Sequence, residues 1–116
     1  MTVEVNLNTD VLKQRISETA EGAAMLTLEG MLKDIDPYVP YDTGELSSSA
    51  IIDESSLSIV WDAEYADYVY NMPKTNNFNT SVHANATSHW VDEAMNSYRE
   101  KWVEDLRSNF RKRWGD

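Results

Sequence analysis

Hydrophobic and polar positions change their period several times along the chain. Val3, Val5 and Leu7 alternate with polar residues, which predicts a short strand over the first seven residues. Thr9 and Asp10 follow as a helix N-cap pair. From Val11 to about Lys33, the residues Leu12, Ile16, Ala20, Ala23, Ala24, Leu28, Met31 and Leu32 recur at helical spacing and predict a long amphipathic helix. Gly22 and Gly30 interrupt it. Each costs about 1 kcal/mol against alanine in a helix. Their expected purpose is to admit a closely packed neighbour or to weaken the helix locally.

Pro37 and Pro40 forbid continuation of that helix, and Asp42-Thr43-Gly44 reads as a turn with Gly44 at positive φ. Ser47 to Asp53 alternates weakly, Glu54-Ser55-Ser56 suits a hairpin turn, and Leu57–Trp61 is a clear strand. Tyr65 to Tyr70 predicts a further strand or a short helical turn. Residues 71–88 are polar and rich in asparagine. A loop of that length is expected to be mobile or functional. Trp90, Ala94, Tyr98, Trp102, Leu106 and Phe110 then fall at i, i+4 spacing and predict a second long helix starting near Ser88. Asp92 and Glu93 in its first turns and Arg111, Lys112 and Arg113 in its last complement the helix dipole. The fold class expected is α+β. A small antiparallel sheet packs against two long helices, one N-terminal and one C-terminal, in a single domain over residues 1–116.

Composition narrows the function. The chain has 116 residues, 41% of them hydrophobic and 26% charged, so it is expected to fold as one soluble unit. It has no cysteine, which excludes disulfides, thiolate metal sites and a cysteine nucleophile. The first residues carry no basic and apolar leader, and no run reaches the ~20 apolar residues that cross a bilayer. No membrane partner is therefore expected. Acidic residues outnumber basic ones 20 to 10, for a net charge of −10. Phosphate binding needs a broad basic footprint, so a nucleic-acid-recognition surface is excluded. The charge is also uneven. Residues 1–98 hold 16 acids and 4 bases, a net of −12, while residues 99–116 hold 4 acids and 6 bases, a net of +2. A basic C-terminal tip of this kind suits docking on an acidic partner, a neighbouring copy included. It also suits the dipole of a helix end.

Three catalytic readings deserve weight. Asp42-Thr43-Gly44 is the tripeptide of aspartic proteases, in which two aspartates share a proton. Those enzymes are almost all-β and need a glycine-rich flap, whereas this chain has only four glycines and its strongest elements are helices. His83, His89, Asp92 and Glu93 are metal-ligand types. His89 and Glu93 fall on one helix face, but no second histidine completes a zinc pair. A Ser/His/Asp triad has no Gly-x-Ser-x-Gly elbow to carry it, and no glycine loop could cradle a phosphate. The expectation is no enzyme, no cofactor and no metal. Most aromatics are core residues by their spacing. Tyr65, Tyr68 and Tyr70 are more than one strand face can bury, so part of this group is expected at an interface.

Several of these segments together resemble a known family. Val39-Pro40-Tyr41-Asp42-Thr43-Gly44-Glu45-Leu46-Ser47-Ser48-Ser49 is similar to the VP-x-DTG-x-L-x-x-S signature of small tailed-phage minor capsid, head–tail connector and tail-completion proteins. Ile59-Val60-Trp61 and then Tyr65-Ala66-Asp67-Tyr68-Val69-Tyr70 resemble the strand and the YA-x-Y-x-Y segment that follow in that family. A polar loop, His89-Trp90 and an aromatic-rich helix complete the order. The resemblance covers roughly residues 1–114. It departs where family members often carry glycine, at Asn71-Met72 and at Thr87-Ser88.

The resemblance implies a structural virion protein of the phage neck. Such a protein joins the DNA-filled head to the tail as a subunit of a homo-oligomeric ring, next to portal-side or tail-side proteins. It implies assembly in the host bacterial cytoplasm. DNA then passes nearby without sequence-specific binding, since an acidic subunit repels it. The residues carried as interface or structural signature are Pro40, Asp42, Thr43, Gly44, Leu46, Trp61, Tyr65, Tyr68, Tyr70, Trp90, Arg111 and Arg113. The alternative from another class is an acidic adaptor or inhibitor that binds a basic cellular partner, through a contact that weakens steeply with salt.

Overall fold

The computed structural model describes residues 3–6, 18–74 and 77–113. Leu7, the Thr9-Asp10 cap, helix residues 11–17 and Trp114 lie outside them. In chain order the elements are β1 (Val3–Asn6), α1 (Glu18–Ile35), a 3-10 turn (Asp36–Tyr38), α2 (Glu45–Ser48), β2 (Ala50–Asp53), β3 (Ser58–Trp61), α3 (Ala66–Tyr70) and α4 (Trp90–Arg113). The fold is α+β, as expected. Tyr65 to Tyr70 resolves in favour of the helical turn, and Glu45–Ser48 adds a turn of helix that the sequence pattern did not predict.

The described strands form one sheet in the order β1-β3-β2, with β3 antiparallel to both neighbours. Trp61 pairs with Val3 and Ala50, and Ile59 pairs with Val5 and Ile52. Ile59 and Trp61 share a face because strand side chains alternate, and both are fully buried. The β2–β3 connection is an Asx turn. Asp53 Oδ1 accepts from the Ser55 N–H at 3.0 Å and from the Ser55 hydroxyl at 2.7 Å. These bonds, the Ser55 hydroxyl's above all, hold the Asp53 carboxyl below its ordinary range.

Helix α1 buries Ala24, Leu28, Met31 and Ile35, a stripe at spacings of three and four. Helix α4 answers with Trp90, Val91, Ala94 and Trp102. The two run antiparallel. Asp34 Oδ2 accepts from Lys101 Nζ at 2.8 Å and from Trp102 Nε1 at 2.9 Å, and Asn109 Nδ2 donates to Thr27 Oγ1 at 3.1 Å. Moving seven residues back along α1 therefore moves seven forward along α4. The expectation that Gly30 admits a close neighbour is corrected here, because a methyl at that position would meet nothing within 4 Å among the described residues.

The sheet lies beside the C-terminal half of α1, where Glu29, Leu32 and Lys33 border a shallow groove with Ala50 and Ile52. The opposite half of the helix pair extends away from it. The molecule is accordingly long, 47 × 25 × 20 Å, with a radius of gyration of 15.0 Å. A compact chain of this length would have about 13 Å.

Candidate functional site

The C-terminal end of α1 meets two prolines. Pro37 enters the 3-10 turn, and Val39 swings to φ −75°, ψ 128°. The chain is thereby extended into the Asp42-Thr43-Gly44 turn, as proline requires of the residue before it. Gly44 has φ +88°, so the expected left-handed glycine is present. Its position is doubly restricted, because a Cβ there would lie 2.8 Å from Tyr41 Oη. The Thr43 hydroxyl accepts the Glu45 N–H at 3.3 Å, and the Gly44 carbonyl accepts the Ser48 N–H at 2.9 Å, which starts α2.

The second half of the polar 71–88 loop is pinned against this turn. Asn85 N–H donates to Pro37 O at 3.2 Å, Thr87 N–H to Tyr38 O at 3.0 Å and His89 N–H to Tyr70 O at 3.0 Å. His83 is the key. It is buried, its Nδ1 lies 2.7 Å from the Val39 carbonyl, and its Nε2 lies 3.4 Å from Asp36 Oδ2. A carbonyl oxygen only accepts, so Nδ1 carries the proton. The Ser47 hydroxyl donates to the other Asp36 oxygen, and the Tyr41 ring meets the imidazole edge-on at 4.9 Å. One histidine thus ties the loop, the turn and α2 together. The sequence pattern places it in the polar loop and among the metal-ligand residue types. Nothing in the alternation around it marked it as buried.

These pieces enclose an open groove of about 460 Å³. One wall is Pro40, Asp42, Thr43, Gly44, Glu45 and Leu46. Tyr65, Val69 and Met72 make the other, and Phe78 closes it from the loop. The site residues expected from the sequence therefore separate into three places. Pro40, Asp42, Thr43, Gly44, Leu46 and Tyr65 share this groove. Trp61, Tyr70 and Trp90 form an aromatic cluster under it, with Trp90 edge-on to Trp61 at 5.8 Å and to Tyr70 at 4.6 Å. Tyr68 is 72% exposed beside the groove, and Arg111 is exposed at the far end of α4. Arg113 is the last residue of α4, and its side chain is outside the described part. Val69, Met72, Asn77, Phe78 and Asn79 also line the groove and were not among the site residues expected from the sequence. The lone aromatic at 78 in a polar loop was the available signal.

The electrostatics of the groove are acidic. The Tyr65 phenol is raised above its ordinary range, first by desolvation and then by the carboxylates of Glu45 and Asp42. Tyr70, deeper, is pushed up to about 12, by burial first and by Asp92 second. Trp61 and Trp90 are fully buried, and neither indole N–H has a hydrogen-bond partner among the described residues. Each such donor costs about 1–3 kcal/mol, which the burial of large rings offsets. Among the described residues no three histidine, aspartate or glutamate side chains gather as a metal site would require, and no helix is long and apolar enough to cross a membrane.

The site is thus an open, acidic, aromatic-lined groove on a hydrogen-bonded base, suited to holding a segment of another chain. Searches of curated proteins and of solved structures return no match. The sequence matches the family described as "Minor capsid protein" over residues 2–109. That span includes the turn, both aromatic segments and almost all of α4, and the chain belongs to this family of phage minor capsid proteins, structural components of the virion.

Proposed function

We propose that the chain is a subunit of the phage neck. It acts as a head–tail connector or tail-completion protein that assembles with copies of itself and with portal-side or tail-side proteins. Residues 1–116 act as one domain in this role, without catalysis. The observation that carries the reading is the convergence of the signature turn Pro40–Leu46 with Tyr65 on one open groove. A groove with acidic and aromatic walls offers the anchoring residues of protein interfaces. Its base is held by buried hydrogen bonds, so little ordering entropy is lost on docking. Trp61, Tyr70 and Trp90 act as the support of the groove, while Tyr65, Tyr68, Arg111 and Arg113 are the contacting residues. The acidic body keeps passing DNA from adhering, because like charge disfavours phosphate contact.

Deletion of the gene in the phage that encodes it tests the proposal. The expected lysate contains DNA-filled heads and separate tails that do not join. Electron microscopy of complete virions should place the chain at the junction. Normal joined particles from the deletion, or a location elsewhere in the virion, would overturn the neck reading.

A further inference from the structure

The acidic groove and the basic end of α4 lie at opposite ends of the molecule. His89 N–H bonds the Tyr70 carbonyl at 3.0 Å, which ties the groove to the start of α4. The basic residues Arg111 and Lys112 stand at the other end of that 24-residue helix, about 36 Å away at 1.5 Å per residue. They cannot reach the groove of their own chain.

The two ends are complementary in chemistry. Asp42 and Glu45 line the groove with Tyr65, and Asp62 and Glu64, both exposed, come just before Tyr65 in the chain. Arg107 pairs with Glu104 at 3.1 Å, and Lys101 bridges Asp34 and Asp105. Arg111 and Lys112 are exposed and make no ion pair among the described residues. Arginine also stacks on aromatic faces, and Tyr65 and Phe78 offer such faces in the groove.

We propose that the basic end of α4 in one copy seats in the Asp42–Glu45–Tyr65 groove of the next, and that this head-to-tail contact links copies of the chain. The contact is heterologous, since each copy offers a tip at one end and a groove at the other. A heterologous contact closes into a ring or continues as a filament, according to its rotation. The −12 charge of residues 1–98 against +2 for residues 99–116 orients approaching copies in this sense. The inference rests on the neck-subunit reading and specifies how its copies meet.

Cross-linking and charge reversal test it together. The chain has no cysteine, so Glu45→Cys in one copy and Lys112→Cys in another give a single addressable pair. A short bismaleimide should join them in concentrated protein or in assembled virions, in clear excess over a Glu45→Cys and Glu100→Cys control. Asp42→Lys with Glu45→Lys, and separately Arg111→Glu with Lys112→Glu, should each weaken self-association more than about tenfold, because like charges then face each other. Circular dichroism verifies that each variant is folded. The chain carrying all four substitutions should regain association, because its ends are complementary again. No excess cross-link in either setting, or no recovery in the fourfold variant, overturns the head-to-tail contact. If the chain is then still found at the neck, the neck reading stands without it. Absence of the chain from the neck overturns that reading itself.

Discussion

At the groove end, the α1–α4 pair is capped by buried aromatic rings and by a histidine-centred set of hydrogen bonds. At the other end, helix meets helix through Ala23 and Ala24 and the bond from Asn109 to Thr27, while Leu26 is 41% exposed. Large rings bury far more apolar surface than alanines do. Among the described residues, the fully buried rings therefore gather where the signature residues are, and the far end of the helix pair buries smaller side chains. On the proposed head-to-tail contact, the surface that receives a partner is on the first and the charges presented to it are on the second.

The largest effect should come from the aromatic cluster. Trp90 is fully buried against Trp61 and Tyr70, so Trp90→Ala should cost about 3–5 kcal/mol, a large part of the stability of a small domain. Leu26→Ala at the far end should cost less, about 1 kcal/mol, since 41% of its surface stays in water. Urea unfolding of both variants measures the contrast. Equal shifts in midpoint would break the comparison.

Gly44 comes next. Alanine there keeps a φ of +88° that side chains disfavour and brings Cβ to 2.8 Å from Tyr41 Oη. The expected loss is about 1–3 kcal/mol. Adding Tyr41→Phe removes the nearest atom but leaves the strained φ and the ring carbon at 3.0 Å. The double variant should recover only part of the loss, and full recovery would show that contact, not backbone conformation, dictates the glycine.

His83→Ala acts on the same end by another route. It strands the buried Val39 carbonyl, which accepts from Nδ1 at 2.7 Å, at a cost of about 1–3 kcal/mol. Hydrogen exchange should show the Asn85 and Thr87 amides losing protection while those near Asn109 do not. Uniform loss along α4 would mean that the two ends are not independent. Gly30→Ala, in contrast, should stabilise the chain by about 0.5–1 kcal/mol, because α1 has open space for the methyl.

Gly30 also marks where sequence pattern falls short. Helical spacing located both long helices, since α1 and α4 each carry a repeating apolar stripe over many residues. The same logic found β3 through Ile59 and Trp61, and the turn through two prolines and a glycine. A glycine, however, signals only the lack of a side chain, and what surrounds it depends on partners distant in sequence. His83 was illegible for the same reason. Its burial arises from Val39 and Asp36, 44 and 47 positions earlier in the chain, and a lone polar residue has no periodicity to report it. Half of the groove was visible as the signature turn. The other half needed the loop to fold back.

The smallest effect is at the pin between the two ends. Lys101 is half-exposed, and its ammonium is raised above the ordinary 10.5 by the hydrogen bond to Asp34 first and to Asp105 second. A cation raised on folding contributes in full below its unfolded value and loses the contribution as pH climbs through the folded one. Lys101→Met should therefore cost only about 0.2–1 kcal/mol near neutrality, since solvent screens the pair. Its difference from the parent chain should close above pH 10.5. Asp34→Ala should cost more, and that gap should persist at alkaline pH. The carboxylate also accepts the Trp102 indole N–H at 2.9 Å, a donor that does not titrate there. If both gaps closed together in a pH series of urea midpoints, charge alone would join the helices at this point. If only the lysine gap closes, the indole bond is what registers α4 against α1.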